Sequence, residues 1–97
     1  MFKNYTVALP KNAGISCYFA SDECVVYHEL SGKTHLLDEM GGFLYKAILE
    51  HCLTRPQLLA HCVATFELPV DFDLEAYLDK LIFDYENLGL IEVMENY

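Results

Sequence analysis

Basic residues are scarce in this chain: six lysines and arginines stand against fifteen aspartates and glutamates, a formal charge of −9 over 97 residues. A surface that neutralises phosphates needs the opposite balance, which argues against nucleic acid as a partner. Long hydrophobic runs are missing too. No stretch approaches the roughly eighteen consecutive apolar residues of a membrane span, and Met1 to Tyr5 lacks the apolar region of a secretory signal. The expectation is a cytoplasmic protein with no membrane attachment. The four cysteines, Cys17, Cys24, Cys52 and Cys62, contain no C-x-x-C pair, and without a secretory signal they are expected as reduced thiols rather than a disulfide framework. No repeat, low-complexity tract or Pro/Gly/Ser-rich linker divides the sequence, so residues 1-97 read as one domain.

What is present is apolar. Hydrophobic residues make up 54% of the chain and aromatic ones 13%, which excludes disorder of the low-hydrophobicity, high-charge kind. A chain of this length buries roughly 65% of its unfolded surface, enough for one core without metal or disulfides. The charge is unevenly placed. Residues 1 to 66 carry a net of −1, whereas 67 to 97 carry nine acids and only Lys80, a net of −8. Such asymmetry marks a solvated acidic face or a surface for a basic partner.

The apolar pattern gives an order of elements. Tyr5 to Leu9 and Ile15 to Ala20 are β-prone, separated by the breaker run Pro10-Lys11-Asn12-Ala13-Gly14. Cys24 to Glu29 and Thr34 to Leu37 flank Ser31-Gly32-Lys33 and read as a β-hairpin. From Asp38 the period lengthens: Met40, Phe43, Leu44, Ala47, Ile48 and Cys52 predict a helix over 39 to 52, capped by Asp38. Thr54-Arg55-Pro56-Gln57 is a capping box with an early proline, so a second helix starts near Arg55 with Leu58, Leu59, Val63 and Phe66 as its apolar face. Pro69 marks the break after it. Leu74, Leu78, Leu81, Tyr85 and Leu88 recur at four- and three-residue steps and predict an inward-facing stripe on a helix over 74 to 88, with Asp73 before it and Gly89 after. Leu90 to Val93 reads as a short closing strand. The class is therefore α+β: a small antiparallel N-terminal β-sheet, three helices and a short C-terminal strand, a winged helix-turn-helix outline.

Catalytic or cofactor chemistry finds little support. Gly32-Lys33-Thr34 matches the tail of a phosphate-binding loop, but Tyr27 stands where the upstream glycine is needed and Thr34 leads into a strand. His51-Cys52 and His61-Cys62 form a repeated pair of zinc-compatible type without zinc-site spacing. A Cys-His nucleophilic pair would also need a third, orienting group in a cleft. Asp71 with Asp73 and Asp84 with Glu86 are i,i+2 pairs that helical geometry directs to different faces. Gly41-Gly42 lacks a nucleotide-loop context and suits close packing or a frayed first turn rather than cofactor binding. The expectation is a protein that is not an enzyme and holds no metal or cofactor.

The run Val25-Val26-Tyr27-His28-Glu29-Leu30-Ser31-Gly32-Lys33-Thr34-His35-Leu36-Leu37-Asp38, followed by a helix and a terminal helix closing in Leu88-Gly89-Leu90-Ile91, resembles the PqqD family. The resemblance spans about residues 17 to 93, and Thr34-His35-Leu36-Leu37-Asp38 is most similar to PqqD-type peptide chaperones from clusters with a kinase related to HPr kinase. It implies a winged helix-turn-helix peptide chaperone, the module also called a RiPP recognition element. Such a domain binds the leader of a precursor peptide as an added strand, between its third strand and third helix, and presents it to a peptide-modifying enzyme. Carried onto this chain, Thr34, His35, Leu36 and Leu37 supply the strand edge and exposed residues of the 74 to 88 helix the other wall; helical spacing places the stripe of Tyr77, Leu81 and Asp84, with Lys80 beside it, next to the inward-facing one, on the border of that groove.

Physical reasoning reaches a similar arrangement from the residues. A free strand edge offers unpaired N–H and C=O groups to an extended peptide, and a neighbouring helix supplies side-chain pockets. An open edge is also compatible with a homodimer. Two other readings compete: a winged-helix transcription regulator, and an adaptor that docks on an enzyme without binding a leader peptide. Against the regulator stands the third helix, where Glu75, Asp79, Asp84 and Glu86 outnumber Lys80 and would be repelled by phosphates.

Overall fold

The computed structural model describes residues 4–11, 14–20 and 23–95. Met1 to Lys3, Asn12 and Ala13 of the expected break, and Asp22 lie outside the described residues. The elements run β1 (Tyr5–Ala8), β2 (Ile15–Ala20), β3 (Glu23–His28), β4 (Lys33–Leu37), α1 (Glu39–Glu50), β5 (Leu53–Thr54), α2 (Arg55–Thr65), α3 (Leu74–Asn87) and β6 (Glu92–Glu95). The protein is a small α+β domain, and its described residues form three helices and two antiparallel three-stranded sheets, ordered β2-β3-β4 and β5-β1-β6.

The expected hairpin is β3 and β4, paired from Cys24↔Leu37 to His28↔Lys33. Gly32 takes φ +71° in the turn, a value glycine adopts without a side-chain clash, and its N–H donates to the His28 carbonyl at 2.8 Å. Period-two alternation turns Cys24, Val26 and His28 to the core. On β4 it buries Leu37 and leaves Leu36 exposed. Pairing β2 with β3, from Ile15↔His28 to Ala20↔Glu23, completes this sheet and leaves the far sides of β2 and β4 as its two edges.

Each helix begins on the cap that its sequence supplies. Asp38 Oδ1 accepts from the Gly41 N–H at 2.7 Å. At α2 the Thr54 N–H donates to Gln57 Oε1 at 2.8 Å while the Gln57 N–H donates to Thr54 Oγ1 at 3.3 Å. Asp73 Oδ1 accepts from the Ala76 N–H at 3.1 Å. Helix α3 closes with Gly89 at φ +79° and the Leu90 N–H donating to the Tyr85 carbonyl at 2.9 Å, a Schellman ending that satisfies an otherwise orphaned carbonyl.

The core joins both sheets to the helices through Val7, Val26, Leu44, Tyr45, Leu58, Leu78 and Leu90, all fully buried, each large aliphatic contributing about 1.5 to 3 kcal/mol. Tyr45 spans it: its ring meets Tyr85 edge-on with centroids 6.3 Å apart, and its hydroxyl donates to the Leu90 carbonyl at 2.9 Å. A polar clamp ties α3 to β1 and to the start of α2. Arg55 grips Asp79 with Nε to Oδ1 and Nη2 to Oδ2, both 2.9 Å, and the Tyr5 hydroxyl donates to Asp79 Oδ1 at 2.6 Å. Burial alone would raise the Asp79 pKa, but the hydrogen bonds from Arg55 and Tyr5 overcome it and hold the carboxyl below its usual value.

Several expectations are corrected. Helix α1 stops at Glu50, not residue 52, because Leu53 and Thr54 must be extended to pair with Val7 and Thr6 and to cap α2; Cys52 is therefore exposed. Helix α2 turns Leu58 and Cys62 to the core and leaves Val63 outside, since the buried row is the i,i+4 pair of leucine and cysteine. Leu88 is exposed, because the chain reverses there and Leu90 takes the inward position. The closing strand is Glu92–Glu95, paired with β1, so Leu90 and Ile91 are core residues that precede it. The first strand ends at Ala8 and belongs to the second sheet, not to that of β2, β3 and β4.

Candidate functional site

Among the described residues a cavity of about 600 Å³ lies between β4 and α3. Thr34, His35, Leu36, Leu37 and Asp38 form one wall, and Tyr77, Lys80, Leu81, Asp84, Tyr85 and Leu88 form the other. All eight sequence-predicted site residues are brought together here: four on the strand and four on the facing helix stripe, with the i,i+3 and i,i+4 spacing that lines one side of a helix. Two structural reasons produce this. Among the described residues β4 pairs only with β3, and Leu78 and Ile82, both buried, anchor α3 and set its rotation.

Three lining residues were not anticipated as part of the site: Asp38, Tyr85 and Leu88. Leu88 continues the stripe one turn beyond Asp84, so extending the i+4 step to the helix end would have found it. Asp38 was legible only as a cap. It holds two partners, since Oδ1 accepts from the Gly41 N–H and Oδ2 accepts from the Tyr77 hydroxyl at 3.3 Å, which pins α3 to the start of α1 at one end of the hollow. Tyr85 lies beneath, against Gly41, where a Cβ would overlap its hydroxyl. That close approach is what the Gly41-Gly42 pair permits, and a Cβ at Gly42 would stand 2.8 Å from the Cβ of Cys24.

The groove's charges largely answer one another. Lys80 Nζ lies 3.1 Å from Asp84 Oδ2 across one turn of the helix. Burial, then the nearby Asp38 carboxylate, raises the pKa of Tyr77, which keeps its hydroxyl protonated as a donor. Burial raises that of Tyr85 as well. Among the described residues His35 Nε2 is buried without a hydrogen-bond partner, an exception to the usual pairing of buried polar atoms. The site thus offers a free backbone edge, the apolar surface of Leu36, Leu81 and Leu88, and a few polar atoms of both kinds.

The other chemical candidates are dispersed by the fold. Cys62 is buried in α2 while His61 faces outward against the edge of Phe43, and His51 and Cys52 are exposed at the end of α1. Among the described residues no three His, Cys, Asp or Glu side chains gather as metal ligands. Lys33 and Thr34 lie in strand β4, not at a helix N-terminus. No helix among the described residues is long and apolar enough to cross a membrane. Comparison of the chain with protein-family models, with curated proteins and with solved structures finds no match to any of them.

Proposed function

We propose that this is a winged helix-turn-helix domain of the PqqD type that binds the leader of a precursor peptide by strand addition and presents it to a modifying enzyme. The observation that carries this reading is the cavity of about 600 Å³ bounded by the free edge of β4 and the Tyr77-to-Leu88 side of α3. A five-residue strand such as β4 directs the N–H and C=O of alternate residues to its open side. An extended peptide completing that ladder gains main-chain hydrogen bonds of about 0.5 to 1.5 kcal/mol each. Its alternate side chains meet Leu81 and Tyr85 on the inner face and Leu36 on the outer, which gives recognition beyond the backbone. The domain supplies no reaction in this account; it holds a substrate extended and in register for another protein.

The regulator reading fares worse on charge. Helix α3 would have to approach phosphates with Glu75, Asp84 and Glu86 on its surface and Lys80 already paired to Asp84. Calorimetric titration of the purified protein with the short peptides encoded beside its gene, and separately with duplex DNA, tests the two. Saturable heat with a peptide and none with DNA is expected. Binding to DNA alone would overturn the proposal, and heat only on adding a neighbouring enzyme would favour a docking adaptor.

A further inference from the structure

We propose that β2 is a self-association edge through which two copies of the chain join their β2-β3-β4 sheets into one six-stranded sheet. Four strands end the two sheets: β5 and β6 in one, β2 and β4 in the other. Three have a recognisable guard or use. β5 is two residues long, β6 carries Glu92 and Glu95, and β4 faces α3 across the groove. β2 has six residues, Ile-Ser-Cys-Tyr-Phe-Ala, with no charge, proline or glycine among them. Tyr18 is 69% exposed, and Ser16, Phe19 and Ala20 are exposed beside it. Sheet proteins protect long edges by charge, proline, shortness or cover, and among the described residues β2 shows none of these.

The charge of the chain selects the occupant. At −9, two copies repel each other over most of their surfaces, and the acidic residues of 67 to 97 make that third of the chain the least suited to self-contact. A basic partner would be drawn to those acids, not to β2. An uncharged edge is where a like-charged copy can approach, and an antiparallel strand is complementary to itself about a two-fold axis. With the axis at Tyr18, the two Tyr18 rings lie across from each other, Cys17 of each copy faces Phe19 of the other, and Ser16 faces Ala20. No charge falls in the pairing. The Lys46 ammonium, 5.7 Å from the Phe19 ring centroid on the inner face, helps hold that ring in place. In the joined sheet the two β4 edges lie at opposite ends, about 24 Å apart at the usual strand spacing, so both grooves stay open.

Sedimentation velocity over a wide protein concentration range tests this independently of peptide binding. The wild-type chain should move from its own mass to twice that mass as concentration rises. Tyr18→Lys and Ser16→Lys, both at exposed positions, should stay monomeric at least tenfold higher in concentration, with unchanged circular dichroism and melting. Leu36→Lys on β4 should dimerise like the wild type. A monomer at every concentration, a dimer that persists in whichever β2 variants fold, or one that Leu36→Lys abolishes would overturn the proposal.

Discussion

Leu36 and Leu81 both line the groove but differ in what the folded domain asks of them, and truncating each separates binding from stability. Leu36 is 68% exposed and Leu81 9% exposed. Burying a whole leucine is worth about 1.5 to 3 kcal/mol; about two-thirds of that remains for Leu36 to gain when a peptide covers it. Leu36→Ala should therefore cost about 1 to 2 kcal/mol of peptide affinity, roughly a five- to thirtyfold rise in Kd, and leave unfolding within about 0.5 kcal/mol of wild type. Leu81→Ala removes packed core and should cost about 2 to 5 kcal/mol of stability, lowering Tm by several degrees for each kcal/mol lost. Aspartate in place of alanine should exaggerate both effects, with Leu81→Asp unfolding the domain by burying a charge. Urea melts paired with peptide titrations give both quantities. Equal loss of stability in the two alanine variants, or unchanged peptide affinity in Leu36→Ala, would refute the placement of the groove.

Arg55→Met should lower stability at neutral pH by about 1.5 to 3 kcal/mol, since it strips charged hydrogen bonds from Asp79, whose side chain is only 17% exposed. Because the folded Asp79 pKa is depressed, its contribution is present above the unfolded carboxyl range and lost as pH falls through the folded value; urea midpoints of variant and wild type should converge in acid, and a gap independent of pH would contradict the clamp. Gly41→Ala should destabilise by about 1 to 3 kcal/mol through overpacking, and Tyr85→Phe, which removes the hydroxyl that the new Cβ would meet, should recover part of that in the double variant's melting curve. In thiol labelling of the native protein Cys52 should react first, being exposed. Cys24 should react only on unfolding, with burial and then Cys17 pushing its pKa up to about 11; early labelling of Cys24 would contradict its packing under α1.

Local chemistry explains which parts could be read in advance. Asp38, Thr54 with Gln57, and Asp73 each bond the N–H three residues on, so the helix starts were written in a few adjacent side chains. The groove was legible for a related reason: alternation fixed which face Leu37 takes, and the 74 to 88 periodicity fixed which stripe of α3 stands next to the buried one. Long-range pairings left no such trace. The partnership of β1 with β5 and β6 joins Val7 to Leu53 and Val93, segments with no shared local signal. Cys62 took the core position expected for Val63 because a helix is rotated by everything packed on it, and cysteine is small enough to be overlooked as an apolar anchor. Leu88 and Leu90 exchanged roles through one residue, Gly89, whose positive φ turns the chain. Tyr77's tie to Asp38 spans 39 positions and could be found only in three dimensions.

The central claim is that an extended peptide completes the sheet at β4 against α3. The measurement that addresses it most directly is an amide-resolved NMR titration of the protein with the peptides encoded beside its gene. The account expects saturable shifts at residues 34 to 37 and along 77 to 88, together with slowed exchange of alternate β4 amides. Saturable shifts elsewhere, with the β4 amides unmoved and still exchanging freely, would contradict it.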